Sequence, residues 1–189
     1  METYRKTEDA FLSHDGTHQI AYTVYTPTKP PHAIVQIAHG MAEHFGRYER
    51  FAAFLAEQGI VVCGNDHLGH GKSVADESEF GFFGEKDGVT HVIADMHTLY
   101  TKLRATYPRL PYILFGHSMG SFLAREYSTK YGEELAGAIY CGTSAGKQPL
   151  WLGKLVAKTV GLFCGKKHRS PLIAKLSMGG YDKCFENQP

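Results

Sequence analysis

The fold is decided by the stretch PYILFGHSMG, residues 111–120, together with the helical pattern that begins at its end. The apolar run 111–116 predicts a buried β-strand, and residues 119–131 have the pattern of a helix. Between them, Gly116-His117-Ser118-Met119-Gly120 places a serine with a glycine two residues before it and two after it. In a sharp strand-to-helix turn such small residues avoid clashes, and the serine hydroxyl points out over the sheet. The helix N-terminus there favours developing negative charge. The pentapeptide alone arises by chance, but in this setting it predicts a nucleophile elbow at Ser118.

Strand and helix signals alternate outward from this turn. Two short runs, residues 10–13 and 19–25, flank the turn dipeptide Asp15-Gly16 and predict a β-hairpin. Compact apolar runs then predict strands at 33–39, 60–64, 111–116 and 136–141, and helical periodicity predicts helices at 48–58, 89–107 and 119–131. Because strand–helix–strand connections are right-handed, this order predicts an α/β fold, a mainly parallel sheet with helices on both faces.

Composition excludes several classes of protein. The 189 residues carry 20 Lys and Arg against 19 Asp and Glu, so the net charge of +1 argues against nucleic acid as a partner. The four cysteines are widely spread without a Cys-x-x-Cys pair, which disfavours a disulfide scaffold and a zinc ribbon. No apolar run is long enough to span a membrane, and the N-terminus has no signal-peptide core. We therefore expect a soluble, cytoplasmic protein.

A change of character near Ser144 predicts two parts, residues 1–144 and 145–189. The second part holds eight basic and two acidic side chains and shows no further buried-strand pattern, which indicates a partial cap or lid segment. Residues 149–163 have helical spacing with apolar and lysine faces. Two interpretations stay open: a lid that contacts an anionic membrane surface, and a cap helix that packs on the body.

The carboxyl ends of the predicted strands carry further candidate site residues, as ligand sites in such sheets do. His39-Gly40-Met41-Ala42-Glu43-His44 follows the strand at 33–39. Acyl transfer needs two backbone N–H donors aimed at the oxyanion, and the amides of Met41 and Met119 are the candidates. The rival interpretation, His39, Glu43 and His44 as metal ligands, matches no helical zinc-protease spacing. We therefore expect no metal and no cofactor.

The segment DHLGHGKS, residues 66–73, follows the strand at 60–64. Its Gly71-Lys72-Ser73 invites a phosphate-loop interpretation, but that motif needs glycine where Asp66 stands, and a carboxylate there would repel phosphate. His67 and His70 alone are weak evidence for a metal site. A structural loop that supports the site is the favoured interpretation.

Taken together, HGMAEH, GRY, DHLGHGKS and LPYILFGHSMGSFLARE resemble the α/β-hydrolase family of monoacylglycerol lipases and lysophospholipases, the serine-aminopeptidase-like group. The resemblance runs from residue 16 to about residue 142, with Leu68 and Ser121 departing from the arginine and glycine frequent at those positions. It implies a serine hydrolase that cleaves a small single-chain lipid ester, with Ser118 as nucleophile, the Met41 and Met119 amides as oxyanion donors, and a cap over the acyl tunnel. The alternatives are a peptidase of the same fold and a catalytically inactive fragment that binds lipid or protein.

The remaining members of a catalytic triad are not identifiable. In this fold the acid and then the histidine follow the serine along the chain. After Ser118 the histidine is His168, within a basic cluster, and Asp182 follows it in the wrong order. The resemblance also calls for two more strands after the cap. We therefore expect a hydrolase truncated at its C-terminal edge.

Overall fold

A six-stranded mixed sheet forms the centre of the computed structural model, which describes residues 3–144 and five single positions beyond them (161, 165, 168, 170 and 171). In chain order the elements are β1 (Tyr4–Leu12), β2 (Gln19–Pro27), β3 (Ala33–Ala38), α1 (Glu49–Glu57), β4 (Ile60–Asn65), α2 (Gly88–Thr106), β5 (Tyr112–His117), α3 (Met119–Tyr131) and β6 (Gly137–Cys141). Single 3-10 turns lie at Phe45–Tyr48, Glu77–Glu79 and Gly132–Glu134.

The strand order is β1-β2-β4-β3-β5-β6. Strands β4, β3, β5 and β6 are parallel, while β2 runs antiparallel to both β1 and β4. The predicted α/β class with a mainly parallel sheet is therefore confirmed, with the hairpin forming one edge. The parallel strands place the residues after β3, β4 and β5 at one edge of the sheet, where the candidate site lies.

The two faces of the sheet have separate cores, because successive strand residues point to opposite faces. All six residues of β3 are buried. Its Ile34 and Ala38 pack in the cluster that contains α2 and α3, and its Val35 and Ile37 pack in the cluster that contains α1. Helices thus cover both faces, as predicted. Such two-sided burial explains why β3 is apolar at five of its six positions.

The buried polar side chain of Gln36 interrupts the apolar run of β3, and both ends of its amide are hydrogen-bonded. Gln36 lies on the α2 face, where its Nε2 donates to the carbonyl oxygen of Met96 at 3.0 Å. Its Oε1 accepts from the hydroxyl of Tyr112 at 2.6 Å. A buried amide with partners for both ends costs little, and here it connects β3, α2 and β5.

Strand β1 is longer than the sequence pattern predicts. The expected strand begins near residue 10, whereas the observed one pairs with β2 from Tyr4 to Leu12. Most of it is exposed, and Phe11 is its one buried residue. Charged side chains on an edge strand discourage pairing with other chains, so this segment carries no apolar alternation that would reveal it.

Contacts between Cα atoms divide the chain into two units, Met1–Thr143 and Ser144–Pro189. Apart from position 161, the predicted helix at 149–163 lies outside the described residues. Among the residues that are described, no helix is long and apolar enough to cross a membrane.

Strand β6 is the outermost parallel strand, and within residues 3–144 it pairs with β5 alone. Its Ile139 and Tyr140 are 50% and 39% exposed. We expect the 189-residue chain to self-associate through this edge, and Ile139→Lys to reduce the association, because a charged edge residue opposes strand pairing. Light scattering across a concentration series measures this.

Leu12→Lys is the matched control for Ile139→Lys, since Leu12 is 56% exposed on the opposite, already charged edge. We expect it to leave the association unchanged. A wild-type chain that stays monodisperse and monomeric at every concentration would contradict the prediction.

Candidate active site

Ser118 occupies a strained position between β5 and α3. Its backbone has φ 52° and ψ −118°, in the left-handed half of the map, and the residue is exposed. Such a conformation costs a non-glycine residue about 1–3 kcal/mol. Hydrogen bonds hold it: the Ser118 amide donates to the carbonyl of Cys141 at 2.9 Å. The Ser118 carbonyl accepts from the Ser121 amide at 2.9 Å and from its hydroxyl at 2.6 Å.

Both glycines of the pentapeptide are required by close backbone contact. A Cβ on Gly120 would overlap the carbonyl oxygen of Ala38, and a Cβ on Gly116 would overlap the carbonyl oxygen of Gly120. Real Cβ atoms do not approach a carbonyl oxygen so closely, so the first turn of α3 lies directly against the ends of β3 and β5. This packing forces the tight turn at Ser118.

The loop of residues 39–44, which carries the predicted oxyanion donor Met41 and is called the oxyanion loop below, lies beside Ser118. A Cβ on Gly40 would be 3.3 Å from the Cβ of Ser118. Met41, the next residue, is 47% exposed, and Ala42 has a positive φ of 57°. Met119 follows Ser118 and packs partly buried against the core. The structure therefore places Met41 one residue after a glycine that lies beside Ser118, and Met119 directly after Ser118.

Glu43 connects the oxyanion loop to the serine turn. Its Oε1 accepts from the Gly40 amide and, at 2.7 Å, from the hydroxyl of Tyr48. The same oxygen lies 3.4 Å from Nδ1 of His117, and Oε2 lies 3.6 Å from Nε of Arg47. Burial would raise the pKa of the Glu43 carboxyl, but the hydrogen bonds from Tyr48, Gly40 and His117 outweigh it and lower the pKa.

Sequence reasoning considered Glu43 as a metal ligand and gave His117 no role. The spacing of Gly40 and Glu43 held a signal, because a glutamate three residues after a backbone amide can reach back to it, as in a capping box. The contact between Glu43 and His117 has no sequence signal, because it joins residues 74 positions apart.

The segment 66–73 is a structural loop. Asp66 accepts from the amide of Phe45 through Oδ1 and from the amide of Lys72 through Oδ2, both at 2.8 Å. The hydroxyl of Ser73 donates to the Asp66 carbonyl at 2.7 Å and accepts from the amide of Ala21 at 2.9 Å. These bonds tie the end of β4 to β2 and to the turn after the oxyanion loop. Both oxygens of the Asp66 carboxylate, the group that argues against a phosphate loop, therefore accept hydrogen bonds from backbone amides.

Three buried histidines lie beneath the two loops. The His39 and His67 rings are 4.1 Å apart by their centroids, and the His39 and His70 rings are 5.3 Å apart. His39 Nδ1–H donates to the Gly40 carbonyl at 2.7 Å, and Nε2 accepts from the His67 amide at 2.9 Å, so this ring is neutral. Within the described part of the chain, no group of three His, Cys, Asp or Glu side chains is arranged to hold a metal ion.

Burial lowers the pKa of all three imidazoles, that of His39 to about 4, and a charge on one ring would repel a charge on its neighbours. The cluster is therefore uncharged at neutral pH. It packs the loops together and adds no positive charge beneath the serine.

An exposed serine held in a left-handed turn between a parallel strand and a helix, beside a loop at the same sheet edge, is the arrangement found in α/β-hydrolases. Within that class, the chain belongs to the serine aminopeptidase (S33) hydrolase family, whose model matches residues 29–178.

Relatives of known name support this assignment. The chain is 32% identical over 171 residues to a monoacylglycerol lipase of Mycolicibacterium smegmatis, covering 85% of this chain and 56% of that protein. It is 30% identical over 161 residues to a human monoglyceride lipase, covering 84% and 48%. A thermostable carboxyl esterase of Bacillus coagulans, solved with glycerol, superposes with a TM-score of 0.82 at 36% identity, covering 97% and 59%. The chain thus spans about half the length of the curated relatives it matches.

The contact of Gly120 with Ala38 predicts the effect of adding one methyl group. We expect Gly120→Ala to lower the free energy of unfolding by about 1–3 kcal/mol, because a Cβ there must push β3 and α3 apart. The matched control is Gly137→Ala in β6, where a Cβ meets nothing within 4 Å, and it should be neutral or slightly stabilising. Urea denaturation measures both. Equal stability of Gly120→Ala and wild type would contradict the prediction.

The histidine cluster predicts a loss of stability in mild acid. An unfolded histidine titrates near pH 6.5. Because the folded pKa values are lower, the unfolded chain binds more protons below that pH. The stability that the neutral, buried histidines contribute is therefore fully present above about pH 6.5 and is lost as the pH falls toward 4. We expect His70→Gln to reduce the pH dependence of unfolding by up to about 1.4 kcal/mol per pH unit, measured by denaturation between about pH 7.5 and 5.5.

The exposed His32 supplies the control, and His32→Gln should keep the wild-type slope. His18 acts in the opposite sense, because the Asp15 and Glu79 carboxylates outweigh burial and raise its pKa. Comparing slopes between variants removes this shared contribution. A slope unaltered in His70→Gln would show that the cluster does not bind protons on unfolding.

Proposed function

We propose that the chain carries the nucleophile and oxyanion-binding part of a serine hydrolase that cleaves carboxylic esters of single-chain lipids. The substrates proposed are a monoacylglycerol or a lysophospholipid. The observation that carries the proposal is the conformation of Ser118, an exposed serine with φ 52° at the start of α3 and the carboxyl end of β5. A strained, exposed serine at that place in the sheet is the arrangement that α/β-hydrolases use for acyl transfer.

The proposed reaction proceeds through a covalent acyl-enzyme. Ser118 Oγ attacks the ester carbonyl carbon and loses its proton to a general base. The carbonyl oxygen becomes an oxyanion, which accepts hydrogen bonds from the amides of Met41 and Met119. The tetrahedral intermediate collapses, the protonated alcohol leaves, and water then releases the fatty acid by the same route. The N-terminus of α3 favours the negative charge at each stage.

The general base and its acid partner are not assigned. Beyond Ser118, the described residues include the acids Glu126, Glu133 and Glu134, on or after α3, and the exposed His168 of the second unit. We propose that no base is positioned at Ser118 among the residues that the structure describes, so that the 189-residue chain reacts at Ser118 but does not turn over efficiently.

Support for a lipid ester comes from the relatives, which are named for monoacylglycerols and carboxyl esters. We propose that residues 145–189 contribute to a cap over the acyl site and contact a membrane surface peripherally, which places a cytoplasmic protein at its substrate. The family is also described by an aminopeptidase activity, so a peptide substrate is the alternative that the experiment must separate.

Phosphonylation tests the nucleophile directly. We expect a long-chain alkyl fluorophosphonate to add one phosphonyl group to the 189-residue chain, located at Ser118 by intact-mass and peptide mass spectrometry. The reaction should be slow because no base is positioned. Ser118→Ala should abolish the addition. Ser78→Ala, which removes an exposed hydroxyl from the 3-10 turn at 77–79, should leave it unchanged.

Two further assays separate the alternatives. A lipid-esterase site should react faster with a long-chain than with an ethyl phosphonate, whereas a peptidase site should not distinguish the chain lengths. Sustained hydrolysis of a monoacylglycerol by the verified chain, abolished by Ser118→Ala, would overturn the proposed absence of a base. A folded wild-type chain that is not phosphonylated at Ser118 would favour an inactive binding fragment.

A further inference from the structure

Glu43 has its carboxylate at the junction of three elements of the site. Its side chain is only 10% exposed although it is ionisable. Its four contacts reach the oxyanion loop at Gly40, the following 3-10 turn at Arg47 and Tyr48, and the serine turn at His117. A buried carboxylate is costly unless it is hydrogen-bonded, so this arrangement is stable only while those contacts persist.

We propose that Glu43 is a positioning residue for the acyl-transfer site. Its Oε1 joins the Gly40 amide, the Tyr48 hydroxyl and the His117 ring, and thereby sets the separation between the Met41 amide and Ser118. The inference rests on the proposed function, because it concerns the oxyanion site of that reaction. Glu43 does not contact the reacting atoms in this proposal; it acts through the two backbone segments that it connects.

The donors and acceptors present determine the direction of every bond in this network. Despite burial, hydrogen bonds lower the pKa of the Glu43 carboxyl. Burial and the adjacent Glu43 carboxylate raise the pKa of the Tyr48 hydroxyl. At neutral pH Glu43 is therefore ionised and Tyr48 is protonated. An ionised carboxylate only accepts, so the single Tyr48 proton goes to Glu43. In the 3.0 Å contact between Tyr48 and His117, the imidazole Nδ1–H must then donate to the Tyr48 oxygen. The Gly40 amide and the Tyr48 hydroxyl thus point toward Glu43, and the single Nδ1–H of His117 is shared between the Tyr48 oxygen at 3.0 Å and Oε1 at 3.4 Å.

This directionality explains why a charged acceptor stands here. The Gly40 amide and the Tyr48 hydroxyl donate to Oε1, the shared Nδ1–H of His117 lies 3.4 Å from it, and hydrogen bonds to an ionised acceptor are about twice as strong as neutral ones. The oxyanion loop needs that restraint, because Ala42 has a left-handed φ of 57° between Met41 and Glu43. Without the carboxylate, the Gly40 amide loses its side-chain acceptor. Gly40 lies close to the serine, since a Cβ added to it would be 3.3 Å from the Cβ of Ser118. The loop would then relax away from the serine.

Phosphonylation kinetics separate positioning from general stability. The 189-residue chain, Glu43→Gln, Tyr48→Phe, the double variant and the control Glu57→Gln are reacted with the long-chain alkyl fluorophosphonate. Intact-mass time courses give kinact and KI. Glu57 is exposed at the end of α1, so the control removes the same charge from a solvent-facing site. Thermal melts and hydrogen exchange of the Gly40 amide are recorded for each chain.

We expect Glu43→Gln to lower kinact by about tenfold or more, since removing a single oxyanion donor outright costs about 10²–10³ in rate. KI should stay within about twofold because the acyl-binding surface is unchanged. Tyr48→Phe should have a smaller effect of the same kind, and the double variant should react no more slowly than Glu43→Gln, because both act through one network. Exchange of the Gly40 amide should accelerate in Glu43→Gln and not in Glu57→Gln.

The outcomes distinguish this inference from the proposed function. If wild type is phosphonylated at Ser118 and Glu43→Gln retains its kinact, Glu43 is structural and the inference is overturned. If Glu43→Gln does not fold, the kinact of Tyr48→Phe decides in the same way. If the folded wild type is not phosphonylated at all, the proposed nucleophile is wrong and the positioning role is overturned with it.

Discussion

The geometry of the candidate site depends on one close approach of two backbones, where the first turn of α3 lies against the end of β3. The space between Gly120 and the Ala38 carbonyl cannot hold even a methyl group. Because α3 starts this close to the sheet, the chain must leave β5 and enter the helix within a single residue. That residue is Ser118, and its left-handed φ is therefore a consequence of packing. The strain of about 1–3 kcal/mol is maintained by the core that the helix and sheet form together.

The same end of β3 also organises the electrostatics around the serine. After Ala38 the chain passes through His39, whose ring accepts from the loop that follows β4, and then through Gly40, which contacts both Ser118 and Glu43. The buried imidazoles are neutral, and the Glu43 carboxylate is surrounded by donors. In the proposed reaction, the groups among residues 3–144 that would favour an oxyanion are fixed dipoles: backbone amides and the N-terminus of α3. Such dipoles need no reorganisation when charge develops, but they act only at the distance that the loops impose.

Sequence patterns predicted most of the fold because its central strands and helices have strong periodicity. Helix α3 was predicted with its observed bounds, and the six buried residues of β3 are apolar except for Gln36. The charged edge strand β1 was predicted too short, since a strand with one buried residue has no alternation to read. Local patterns located Ser118 and the Met41 loop. They could not reveal the contact between Glu43 and His117, because it is created by the parallel pairing of β3 with β5, which brings together residues 74 positions apart.

Two requirements of a serine nucleophile can be separated in this structure: a fixed backbone conformation, and a base that accepts the hydroxyl proton. The contacts described above that hold Ser118 in its conformation come from residues 38–141: the Ala38 carbonyl, the two glycines, Ser121 and the Cys141 carbonyl. None of these is a histidine or a carboxylate, so the nucleophile turn forms without a base. A base therefore contributes to the rate by accepting the Ser118 proton and contributes nothing to the strain of the turn. It follows that the elbow alone does not distinguish an active hydrolase from an inactive one. In the proposed reaction, activity is then decided by whether an imidazole reaches a serine that the packing of β3 against α3 has already positioned.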